Sequence, residues 1–286
     1  MCGNFWKSSH YQQWILDGQE LELHRRRDLQ MVTLEELQKT HIFLANYIKA
    51  LGETLKMRQQ VIATATMYFK RFYSKHSLSD VDPMLMCPAC VYLASKVEEC
   101  GVISSVKMMN ALRTVVKKEY AYILPDIPYS MGHILECEFF LLEVLDCCLI
   151  VYHPYRCLTQ YITDIGQEGT LLATAWKIVN DSYRSDLCLL LPPYLIALAA
   201  IHMAAVIQKK DLRPWFAELN VDMNKILEIT KTMLALYDLW KKFEEKKEMP
   251  EIWAKIAKPK LTKLKDQTQA SSQPDNPDSN KQQQIT

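Results

Sequence analysis

Glycine is scarce in this chain, with seven residues in 286. That scarcity argues against glycine-rich phosphate cradles and tight β-meanders, and leaves long helices as the economical reading. A basic excess is also missing, since 34 Lys and Arg stand against 33 Asp and Glu, for a net charge of +1. Nucleic-acid binders draw much of their affinity from phosphate neutralisation, so no direct nucleic-acid partner is expected. The motifs GxxxxGK[ST], HExxH and GxSxG do not occur, and none of the seven histidines stands three or four residues from another. No catalytic residue, metal site or cofactor is therefore expected. No secretory signal opens the chain, so its nine cysteines are expected as reduced thiols in the cytosol or nucleus.

What is present is apolar and helical. Hydrophobic residues make up 49% of the chain and charged residues 23%, the balance of a folded soluble protein of up to two domains. The longest uncharged run, LCLLLPPYLIALAAIHMAAVI at 187–207, is broken by Pro192 and Pro193. An apolar helix of about 14 residues remains, which suits a core better than a membrane span, and no membrane partner is expected. CPAC at 87–90 has zinc-type spacing but no second pair, and reads as buried apolar cysteines. Helices are expected over 33–52, where Thr33 and Glu36 form a capping box, and over 56–74, 82–99, 104–119 and 128–146. The end of the chain, from about Gln267, is rich in Ser, Pro, Asn and Gln and is expected to be disordered.

An internal repeat organises the rest. IATATMYFKRFYS at 62–74 lies over LATAWKIVNDSYR at 172–184, and PMLMCPACVYLAS at 83–95 over PYLIALAAIHMAA at 193–205, both at an offset of 110. ILECEFFLLEVLD at 134–146 lies over ILEITKTMLALYD at 226–238 at an offset of 92. The second copy is thus 18 residues shorter between its third and fifth helices, and RPWFAELNVDM at 213–223 is expected to hold a truncated fourth helix. A period near 110 means a duplicated globular unit of about five helices rather than a solenoid. The small-residue third helix of each copy is expected at its centre.

The repeat also sorts residues by role. Ala63 recurs as Ala173, Tyr73 as Tyr183 and Leu142 as Leu234, which reads as shared packing. Lys96 instead corresponds to Val206, and Glu138 to Thr230. Lys96 is either a solvated lysine paired with Glu99 at i,i+3, or it converges with Glu138 at one rim of the bundle to offer a partner a donor beside an acceptor. Trp176, Asn180 and Asp181 share one helix face in copy two. They are either a partly buried tryptophan with a solvated polar pair or a second docking surface. Phe5, Trp6 and Trp14 read first as packing against the first unit.

At LASKVEE, residues 93–99, the chain resembles the cyclin family, and the resemblance extends over roughly residues 4–260. It implies an all-α fold of tandem cyclin boxes, two five-helix bundles with an amino-terminal helix. The expected divisions are 1–30 for that helical segment, 31–150 for a kinase-binding first box, 151–250 for the second box and 251–286 for a basic, then polar, disordered tail. It further implies a non-enzymatic regulatory subunit whose partner, a cyclin-dependent protein kinase, is held at Lys96, Glu99 and Glu138, with Phe5 and Trp6 adding contacts. Longer stretches, among them VIATATMYFKRFY at 61–73 and WFAELNVDM at 215–223, resemble the transcriptional branch of the family. In that branch the kinase belongs to the nuclear Mediator kinase module, and Trp176, Asn180, Asp181 and Tyr237 fall where a groove takes a large Mediator subunit. Two departures stand out: Lys70 where cell-cycle cyclins usually have aspartate, and MRQQV from Met57 where they carry an MRAIL-type substrate-docking patch.

Two rival readings are weaker. NDSYRSD at 180–186 resembles the Mg²⁺-binding helix of terpene cyclases, with the wrong spacing and no aspartate-rich partner. A DNA-binding general transcription factor with tandem cyclin folds needs a basic face that is not visible here.

Overall fold

The computed structural model describes residues 4–219 and 221–270, with side chains to residue 257. Every regular element among the described residues is helical. A 3₁₀ turn at Phe5–Lys7 precedes α1 (Ser9–Trp14) and α2 (Gly18–Leu29). The first bundle holds α3 (Leu34–Thr54), α4 (Gln59–Lys75), α5 (Pro83–Val97), α6 (Ser105–Val115) and α7 (Met131–Val144), with a π-helical turn at Val116–Tyr120 after α6. The second holds α8 (Pro154–Ile165), α9 (Glu168–Ser182), the single turn α10 (Leu187–Leu190), α11 (Pro193–Ile207), α12 (Arg213–Glu218) and α13 (Met223–Lys242). A last helix, α14, spans Glu245–Ala270.

Local chemistry accounts for the helix starts. Thr33 Oγ1 accepts from the Glu36 N–H, and the Glu36 carboxylate accepts from the Thr33 N–H, which sets α3 in register. The Asp82 side chain caps α5, whose first position is Pro83. Gly52 allows α3 and α4 to close together, because a Cβ there would stand 2.6 Å from Cγ1 of Ile62. α12 is six residues long, the truncated fourth helix that the repeat requires.

The repeat is visible as structure. In α5 and in α11, eleven of fifteen residues are buried, so each is hydrophobic all round and central to its bundle. α5 packs on α3, α4 and α7, while α11 packs on α8, α9 and α13. Even their ends coincide. Glu99 and Lys209, 110 residues apart, both take left-handed backbone with φ of 50° and 53°. The next residue in each copy returns its N–H to the helix, Cys100 to Ser95 O and Lys210 to Ala205 O.

The amino-terminal segment joins the bundles. Trp14 is buried in the first core, and Leu21 in the second. The Leu16 N–H donates to Leu189 O, which ties the segment to the second bundle. Phe5 and Trp6 differ from their expected packing on the first bundle. Phe5 meets Tyr152 in the linker and Trp6 meets Tyr194 at the start of α11, with Trp6 51% exposed.

The far end differs as well. Residues 251–270, assigned to a tail, are helical, and Met249, Ile252 and Ile256 of α14 are buried in the first core. Glu248 pairs with Lys39 at 2.7 Å, and Lys255 pairs with Glu36. The apolar spacing of 249, 252 and 256 is that of one helix face, and it overrides the charged composition around it. The polar end beyond Ala270 lies outside the described residues.

Candidate partner-docking sites

The first site forms where α5 ends against α7. Lys96 Nζ lies 2.5 Å from Oε1 and 2.8 Å from Oε2 of Glu138, the latter with hydrogen-bond geometry. Glu138 is buried, its side chain 6% exposed, whereas that of Lys96 is 43% exposed. The ammonium also sits 4.3 Å from the ring centroid of Tyr92, one turn back on α5. A buried acceptor and an aromatic face therefore fix an exposed donor. Lys96 does not pair with Glu99 at i,i+3. The left-handed turn at Glu99 takes that residue off the helix face, and it forms no ion pair among the described residues.

Glu98 points elsewhere. Its carboxylate accepts from Thr64 Oγ1 at 2.6 Å and from Gln60 Nε2 at 2.8 Å, and its carbonyl accepts from Arg58. The MRQQV segment is thus tied to the end of α5 by polar bonds. An MRAIL-type patch would carry isoleucine and leucine at the positions that Gln60 and the buried Val61 occupy here.

Sequence reasoning missed the apolar part of this surface. Leu135 and Phe139, i and i+4 on α7, are 37% and 73% exposed, and Val102 and Val106 beyond α5 are 90% and 70% exposed. Apolar residues in an amphipathic helix read as core by default, which hid them. The available signal was that Phe139 corresponds to Lys231 in copy two.

The second site is a groove of about 220 Å³ between the bundles, walled by α3, α4 and α9. Asn180 and Asp181 line it, with Lys49 and Lys177 on its wall. Tyr155 packs its ring on Trp176, tilted by 34° with centroids 4.5 Å apart, and donates to Asn180 Oδ1 at 2.7 Å. Tyr237 donates to Asp181 Oδ2 at 3.1 Å, and Arg184 donates to Oδ1 at 2.9 Å. The four residues singled out thus form one linked network. Arg184 and Tyr155, not singled out, hold it together. Arg184 also stacks over Trp240 and donates to Asn46 of α3. Burial raises the Asp181 carboxyl above its ordinary value, and Arg184 and Tyr237 offset that only in part.

Elsewhere, Cys87 and Cys90 are fully buried, and burial pushes both thiols well up. No group of three or more His, Cys, Asp or Glu is placed to hold a metal among the described residues. No helix among them is long and apolar enough to cross a membrane.

Residues 14–150 match the profile of the cyclin N-terminal domain, and residues 153–241 that of the cyclin C-terminal domain. Two bundles of five helices each, the second with the single turn α10 besides, under those two matches define a tandem cyclin-domain protein, and the chain belongs to the cyclin family. It is 60% identical over 261 residues to Cyclin-C of Rattus norvegicus, covering 91% of this chain and 92% of that one. Among solved structures, a chain of the CAK complex of Chaetomium thermophilum bound to ATP-γ-S superposes with a TM-score of 0.64 at 21% identity, covering 96% of this chain and 98% of that one. A chain of the yeast RNA polymerase II CTD kinase CTDK-1 complex gives 0.60 at 14% identity, covering 79% and 73%. These structural likenesses concern the fold.

Proposed function

We propose that this chain is the regulatory subunit of a transcriptional cyclin-dependent kinase, acting in the nucleus within the Mediator kinase module. The observation that carries the reading is the Lys96–Glu138 pair, an exposed donor fixed by a buried carboxylate beside exposed Leu135 and Phe139. The 60% identity to Cyclin-C supports the transcriptional branch. A kinase of this type is switched by its αC helix, which must turn inward so that its glutamate pairs with the ATP-positioning lysine. A rigid surface that binds only the inward arrangement shifts that equilibrium by its differential affinity. Here Lys96 meets helix-end carbonyls of the kinase, Glu138 keeps the ammonium oriented, and Leu135 and Phe139 supply the apolar contact. This chain contributes no catalytic residue of its own.

The test is Lys96→Met combined with Glu138→Gln, which removes both charges and strands neither. Expected are an unchanged unfolding midpoint and a loss of kinase affinity and kinase activity of about tenfold or more. A folded double variant that binds and activates the kinase normally would sink the proposal.

The inter-box groove, with Trp176, Asn180, Asp181 and Tyr237, is the proposed seat of a large Mediator subunit. A Trp176→Ala, Asp181→Ala variant is expected to keep the kinase and lose copurification with that subunit. Retention counts against this assignment.

A further inference from the structure

The second bundle carries a groove of about 740 Å³ at the place that corresponds by the repeat to the Lys96 rim of the first. Ala205 and Val206 at the end of α11, Phe216 of α12 and Met223 of α13 give it apolar walls. Val206 and the adjoining Ile207 are 65% and 61% exposed, an unusual state for two neighbouring aliphatic side chains. His202 also lines the groove; its Nδ1 is buried without a partner, and burial disfavours its charged form.

The charge at the mouth is net positive, with Asp211 the one carboxylate among the described residues of the lining, beside Lys209, Lys210 and Arg213. Lys209 and Lys210 line the groove and form no ion pair among the described residues, while Arg213 is satisfied by Asp211 at 2.6 Å. Two unpaired ammonium groups therefore flank an apolar trough. A second copy of this surface is a poor occupant, because a two-fold contact sets lysines against lysines. The chain's own end is a poor one too, since residues 271–286 hold a single aliphatic side chain other than proline, Ile285.

We propose that this groove is a docking site for an acidic amphipathic helix of a partner protein. Apolar side chains at i, i+3, i+4 and i+7 of that helix fill the trough over Val206, Phe216 and Met223, and its carboxylates meet Lys209 and Lys210. Where the first bundle presents a fixed charge pair, the second presents apolar surface with a cationic border.

The test uses the full chain and a displayed library of helical peptides of about 18 residues, long enough to hold a helix. Apolar residues are fixed at i, i+3, i+4 and i+7, the other positions are random, and Val206→Glu protein serves for counter-selection. Expected is enrichment of Asp and Glu at the random positions. The selected peptide should bind in fluorescence anisotropy and weaken with salt. Its affinity should fall about tenfold or more with Val206→Glu and with Lys209→Glu, Lys210→Glu, and stay unchanged with Lys96→Met, Glu138→Gln. Val206, Lys209, Lys210 and Lys96 are exposed and Glu138→Gln keeps the shape of the buried side chain, and circular dichroism checks that each variant is folded. No enrichment, enrichment of neutral or basic peptides, or binding that survives Val206→Glu would overturn the proposal. Light scattering that finds a dimer dissolved by Val206→Glu also overturns it, by assigning the surface to a second copy.

Discussion

Lys70 Nζ lies 3.2 Å from Oδ1 of Asp186, a residue 116 positions further along the chain. Arg25 grips the same carboxylate through both oxygens, at 2.5 and 2.8 Å. One aspartate at the start of α10 thus ties the amino-terminal helix and the first bundle to the second. Burial opposes its ionisation, but Lys70 and Arg25 outweigh that and hold it well below the usual carboxylate range.

Removing the carboxylate should cost far more than removing one cation. Asp186→Ala strands Lys70, whose side chain is 1% exposed, beside Arg25, and is expected to destabilise by about 3–5 kcal/mol. Lys70→Met keeps the Arg25 pair and much of the volume, and should cost about 1 kcal/mol. Urea unfolding midpoints rank the two, and the opposite order would refute this account.

Three histidines kept neutral should make the fold sensitive to mild acid: His41, which burial and then Lys70 and Arg25 hold well below its ordinary value, together with His10 and His153. Burial, then Arg71 and His153, lower the pKa of His10 from 6.5 to about 2, and burial, then Arg71, lower that of His153 to about 3. Above pH 6.5 both states are neutral and nothing is lost. Below it the unfolded chain takes up protons that the native state refuses, so stability falls by about 1.4 kcal/mol per pH unit for each histidine. Unfolding free energies between pH 7.5 and 5 should show that slope, and His10→Asn should shallow it. A flat profile contradicts the prediction.

α14 should behave as part of the first bundle. Ile252→Ala is expected to cost about 2–4 kcal/mol, because its side chain is 3% exposed within the first core. A chain ended after Phe243 should melt lower still, since Met249 and Ile256 leave with it and Lys39 loses Glu248. An unchanged melting temperature would mean that the helix does not hold the core.

The duplication was legible because packing repeats in kind, Tyr73 with Tyr183, both buried, and two central helices without a polar face; Ala173 and Leu234, matched to Ala63 and Leu142, turn out exposed, so those two matches are not shared packing. The charge pair at Lys96 and Glu138 stood out because packing did not require it. α2 was harder. Only Leu21, Arg25 and Asp28 of its twelve residues are buried, and two of those are charged, so no apolar stripe marked it. Its stability comes from long-range partners, Asp186 for Arg25 and Ser77 for Asp28. Charge-rich α14 was hidden in the same way, and Phe139 by the opposite effect, an apolar residue on an outward face. Pairings such as Lys70 with Asp186 depend on how the units are set against each other, which no local window contains.

The matched helix stops at Glu99 and Lys209 bear on how such a protein diverges. A carboxylate and an ammonium occupy the same left-handed backbone, and the closing bonds come from main-chain atoms in both copies. The terminus of the central helix is therefore a mount with interchangeable fittings, whose shape does not depend on what it carries. Transplanting Val206→Lys with Thr230→Glu would then give the second bundle the first one's charge pair without shifting a helix. A gene duplicated once had two such mounts to equip independently.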